Sequence, residues 1–160
     1  MSKQPGRMHW LETRLPPPIL MVLLGVAALA MTRVFPSPSF DWPLLDTFAL
    51  ALALSGAALN LLPKRGFRQA GTTLNPMRPE ASTALVTSGI YRFSRNPMYL
   101  GHATILLGWS LYLRSPLALL APVVFMLYLT RFQIRPEERQ LLARFPEAYA
   151  AYCATVRRWL

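Results

Sequence analysis

The sequence predicts an all-α, polytopic membrane protein of four transmembrane helices, folded as one domain over residues 1–160. Two observations carry this. Apolar residues are gathered into four blocks, 16–34, 43–63, 97–113 and 115–130, rather than spread as in a soluble core. Each block is near the length that crosses a bilayer core, about 20 residues. Cations are gathered too. Of 17 Lys and Arg residues, 15 precede the first block, lie between the second and third, or follow the fourth; Arg33 and Arg114 are the other two. By the positive-inside rule both termini and the long central loop face the cytoplasm. A soluble bundle of helices apolar on every side would leave a small protein poorly covered.

The net charge of +10 has two readings, nucleic acid or anionic lipid. The cations flank apolar spans, so lipid headgroups are the expected partner and nucleic acid is not. A single cysteine, Cys153, excludes an internal disulfide, and two distant histidines, His9 and His102, make no metal site. Arginine outnumbers lysine 15 to 2, as in a GC-rich bacterial genome, which points to a bacterial inner membrane. A cleaved signal peptide is not expected, because Val34-Phe35-Pro36 is no small-residue cleavage site.

The elements follow in order. Residues 1–15 form a polar lead, and Pro16-Pro17-Pro18 opens the first helix, where early turns tolerate proline. Residues 36–43 turn outside the membrane, with Trp42 at interfacial depth. The second helix runs to about Leu62; its Ser55, Gly56, Ala57 and Ala58 let another helix approach closely. Residues 63–96 are a cytoplasmic loop, long for this chain and therefore expected to be ordered and functional. Asn96 caps and Pro97 starts the third helix, and Ser115-Pro116 repeats the device for the fourth. Pro122 should kink the fourth helix, and Pro136 should restart a helix beyond it. In the tail, Tyr149, Tyr152, Val156 and Trp159 recur at helical spacing with Arg157 and Arg158 opposite. That pattern reads as an amphipathic helix on the membrane surface.

Polar chemistry concentrates at the start of the third helix, in YRFSRNPMYLGH (91–102). A helix N-terminus offers unpaired N–H groups, and Arg92 and Arg95 add guanidinium forks suited to a carboxylate or phosphate. The alternative is a pair of arginines anchoring the span to headgroups. His102 is ionisable at membrane depth, a functional candidate unless it merely bonds within the bundle. Gly101 and Gly108 share a face. Glu137 and Glu138 stand either as ligands for an ammonium or ribose hydroxyls, or as ordinary helix-start acids.

GIYRFSRNPMYLG, followed about forty residues later by RPEERQLLARFPEAYAAYCATVRRWL, resembles the isoprenylcysteine carboxyl methyltransferase family, grouped with the phospholipid methyltransferases. The resemblance covers roughly residues 70–160. The matching positions are Gly89, Tyr91, Arg95, Asn96, Pro97, Tyr99 and Gly101, then Glu137, Glu138, Leu141, Phe145, Tyr149 and Tyr152. Two departures stand out: Asn96 where the eukaryotic prenylcysteine enzymes have His, and Pro146 where many relatives have Gly. The first bears on the acceptor more than on the cofactor.

The resemblance implies S-adenosylmethionine as cofactor, in a pocket capped by the loop and the C-terminal helix. Gly89, Tyr91, Arg95, Asn96, Pro97, Tyr99, Gly101, Glu137 and Glu138 would bind it, with Arg95, Glu138 and His102 as catalytic candidates. The methyl acceptor would be a lipid or small hydrophobic molecule bearing a carboxylate, amine or thiol, entering from the bilayer. The rival readings are an NADPH-dependent membrane reductase akin to sterol reductases and a non-catalytic small membrane protein.

Overall fold

The computed structural model describes residues 12–35, 38–39, 42–69 and 85–160, without the side chains of 64–69. The polar lead before Glu12, part of the 36–43 turn and the central loop from 70 to 84 lie outside the described residues. Those that are described contain helices and turns and no strand.

Helix α1 (Pro17–Val34) begins on its prolines as expected. Helix α2 (Leu45–Gln69) runs past the expected end, through Pro63, into a stretch with the good helix formers Lys, Arg and Gln. Helix α3 (Pro97–Tyr112) starts at Pro97. A tight connection then carries Arg114 at φ 53°, and the chain turns back at Pro116. Among the described residues, three helical segments are long and apolar enough to cross a membrane: Pro17–Val34, Leu45–Pro63 and Pro116–Arg144. With 16 residues, α3 is shorter than these.

Its place explains its composition. Helix α3 packs against α1 and α2, and against the helix that follows it. On the α2 side the backbones nearly touch. A Cβ on Gly101 would come within 2.6 Å of the Gly56 carbonyl oxygen, and one on Gly108 within 2.6 Å of that of Ala49. Only glycine permits that approach; of the small residues expected to pack, Gly56 lies in this seam, whereas Ser55 and Ala58 are exposed. On the α1 side Trp109 Nε1–H donates to the Gly25 carbonyl at 3.0 Å. Leu106, Tyr99 and Ala103 of α3 join Leu20 and Ala28 of α1 in the main core.

From Pro116 the chain stays helical to Arg144. A 3-10 turn (Pro116–Leu119) leads into α4 (Leu120–Leu129), a π turn (Thr130–Ile134) and α5 (Arg135–Arg144). The expected break before Pro136 is absent, and the two prolines show why. Each removes an N–H that would bond the carbonyl four residues back. For Pro136 that carbonyl is Phe132, and Thr13 N–H donates to it from the N-terminal segment at 3.0 Å. For Pro122 it is Ala118, whose oxygen lies 2.8 Å from Ser110 Oγ. Helix α6 (Pro146–Thr155) ends short of Trp159, since Val156 is extended. Tyr149, Tyr152 and Val156 are buried, and they pack on Val86 and Tyr91 rather than on a membrane surface. Trp159 turns elsewhere and donates to Thr130 Oγ1 at 3.2 Å.

Candidate functional site

The start of α3 is held from the far end of the chain. Ser94, buried, accepts the Asn96 N–H at 3.1 Å. Arg95 N–H donates to the Arg157 carbonyl at 3.0 Å, and Asn96 Nδ2–H to the Arg158 carbonyl at 2.9 Å. Asn96 therefore occupies the N-cap position without capping by its side chain. It straps residues 156–160 across the helix end.

That strap delivers Arg158, which was expected to face away. Its Nε and Nη2 grip Glu138 at 2.9 and 2.8 Å, a bidentate pair. Arg95 reaches the same carboxylate, Nη2 to Oε1, at 3.3 Å. The hydrogen bond from Glu138 raises the Arg158 pKa above its ordinary value. Arg95 is 13% exposed and Glu138 18%, so both are largely shielded from water. The Nε of Arg95 is buried without a hydrogen-bond partner.

Glu137, adjacent in sequence, has different company. Tyr99 O–H donates to its Oε1 at 2.6 Å, and Gln133 Nε2–H donates to the same oxygen at 2.5 Å. Gln133 is buried in the π turn. It is one of the residues that sequence reasoning missed; the signal was a lone amide four residues before Glu137, on the same helix face. Arg158 had no such signal, because nothing local couples it to Glu138.

The remaining candidates fall into two groups. Tyr91 is buried beside the site and takes a hydrogen bond on its carbonyl from Tyr152 O–H at 2.7 Å. Burial raises the pKa of both phenols, so both stay protonated. Gly89 opens the 3-10 turn Gly89–Arg92 at φ 61°, a left-handed conformation glycine adopts without strain. Pro97 is buried at the first turn of α3. Gly101 lies in the α2 seam instead. His102 donates from Nδ1 to the Met98 carbonyl at 2.7 Å and sets its ring 6.3 Å from that of Phe125. In the neutral ring this leaves Nε2 as the acceptor. Arg92 is exposed.

A cleft of about 420 Å³ opens beside Glu138. It is lined by Arg135, Arg139, Leu142, Tyr149 and Cys153 as well. That volume is within the range of small-molecule sites, roughly 300–1,000 Å³. A lining of charged groups with apolar and aromatic ones suits a ligand that is itself divided in that way. Among the described residues no group of His, Cys, Asp and Glu is arranged to hold a metal.

Comparison with known proteins gives the family. An uncharacterized protein of Haemophilus influenzae is 44% identical over 63 residues, covering 39% of this chain and all of that protein. The protein-S-isoprenylcysteine O-methyltransferase of Saccharomyces cerevisiae is 37% identical over 78 residues, 47% of this chain. The match spans 31% of the yeast enzyme's length. A sequence profile described as phospholipid methyltransferase matches residues 45–148, from the start of α2 into α6. That is well over half of the chain, and the chain belongs to the phospholipid methyltransferase family.

Proposed function

We propose that this protein is an integral-membrane methyltransferase that uses S-adenosylmethionine and methylates a lipid or small hydrophobic acceptor at the cytoplasmic face. The reading has α3 as a fourth span, both termini cytoplasmic, and the cell membrane of a bacterium as the location. The observation that carries it is the partnerless, buried Nε of Arg95, whose guanidinium meets Glu138. A zwitterionic amino-acid end suits this cluster: the carboxylate falls to Arg95, and the ammonium and ribose hydroxyls fall to the acidic pair. The aromatic wall at Tyr149 suits the flat base.

When bound, S-adenosylmethionine supplies a methyl group activated on a sulfonium. The protein's part is then to orient and to exclude water. Held geometry alone can supply about 7–11 kcal/mol in a displacement of this kind. A carboxylate or thiolate acceptor needs no base. For an amine acceptor, Nε2 of His102 is the proton acceptor, since Arg158 holds both oxygens of Glu138. The test is calorimetric titration of detergent-purified protein with S-adenosylhomocysteine. Micromolar binding is expected. NADPH binding in its place would return the assignment to a reductase, and binding of neither by folded protein would make it a non-catalytic membrane protein.

A further inference from the structure

The cluster at Glu138 is unevenly charged. Two guanidiniums, from Arg95 and Arg158, meet one carboxylate. Glu137, the next acid, takes its hydrogen bonds from the neutral Tyr99 and Gln133. The trio of Arg95, Glu138 and Arg158 thus holds one more positive charge than it balances, with Arg95 and Glu138 largely shielded from water and Arg158 34% exposed. An uncompensated charge in such a setting is costly, and so is a buried N–H without an acceptor. Both deficits are met by a single species, an anion with two oxygens.

We infer that Arg158, with Arg95, forms a two-arginine clamp for the carboxylate of the bound cofactor, and that Glu138 is the positioning residue that holds the clamp open. The inference rests on the proposed use of S-adenosylmethionine and refines it. Both oxygens of Glu138 are already engaged by Arg158. Its task is to fix two guanidinium planes, and the cofactor's ammonium passes to Glu137. The strap makes this possible. Arg95 and Asn96 hold the Arg157 and Arg158 carbonyls, so the second arginine is presented by main-chain bonds rather than by a free tail. Planar forks matter here, because a guanidinium can grip one carboxylate on one edge and offer N–H groups elsewhere.

The test compares two probes by calorimetry: S-adenosylhomocysteine and its analogue with the carboxylate replaced by a carboxamide. The wild-type protein should prefer the acid by about tenfold or more, the range of charge-assisted hydrogen bonds. Arg158→Ala should lose most of that preference, binding acid and amide about equally. Arg158→Lys should keep charge but lose the fork, and recover only part of it. Circular dichroism melting of each variant reports folding, and the lysine variant serves if the alanine variant is unstable. An acid-over-amide preference unchanged in Arg158→Ala and Arg158→Lys would overturn the clamp and leave the proposed function standing. So would a wild-type protein that binds both probes equally. Wild-type protein that binds neither probe would overturn the use of S-adenosylmethionine, and the clamp with it.

Discussion

The two ends of the bundle each carry an arginine–carboxylate contact, and the contacts are not alike. At the end where α3 turns back, Arg114 reaches Asp46 with one nitrogen at 2.8 Å, and the side chains are 37% and 58% exposed. At the other end, Arg158, 34% exposed, grips Glu138 with two nitrogens, Arg95 joins, and the shared carboxylate is only 18% exposed. Ion pairs in water contribute little, because the same charges are well solvated apart. Shielded pairs are costly to assemble and costlier to break, since a lone charge is left behind. The first pair therefore behaves as an interfacial anchor. The second has the geometry of a site.

Substitutions can break or sharpen this contrast. The largest effect is expected from Glu138→Gln, which strands two arginines against each other. Affinity for S-adenosylhomocysteine should fall by about a hundredfold, the consequence of truncating one partner of a shielded, hydrogen-bonded pair. Undiminished titration heats would remove the acid from the site. Next comes Arg95→Ala, with a loss of about tenfold or more, because one charge-assisted partner goes while Arg158 stays. An effect confined to melting temperature would make Arg95 structural only. Tyr99→Phe is smaller. It deletes the 2.6 Å donor to Glu137 and should cost about 1–2 kcal/mol of stability, read as a lower melting temperature in detergent. Asp46→Asn should change stability by no more than about 0.5 kcal/mol and leave cofactor affinity alone. A large loss there would erase the distinction between the two ends.

Much of the fold was legible because helix limits are set locally. Pro97 and Pro116 mark the starts of their helical segments as read, and Gly56 of α2 packs where its size suggested. What was not legible depends on partners distant in sequence. The helix runs through Pro136 because Thr13 replaces the missing donor, more than a hundred residues away. The tail spacing suggested one long amphipathic face, yet Val156 leaves the helix and Trp159 crosses to Thr130. The structure brings the motif residues together, Tyr99 on Glu137 and Arg95 on Glu138. Their division into two sub-clusters, one neutral in its donors and one arginine-rich, follows from tertiary packing alone.

The π turn at Thr130–Ile134 has a consequence for how this chain tolerates lost residues. A π turn holds one residue more than the α-helical path needs, so removing any one of the five would restore regular winding without breaking the helix. Hydrophobicity and length would hardly change. Because the wide turn absorbs its extra residue, everything downstream would keep nearly its present orientation. Glu137 would stay beside Tyr99, and Glu138 beside both arginines. A single-codon deletion here should thus leave the acidic pair in place, whereas one in a regular helix turns everything beyond it by about 100°, one residue's share of a turn.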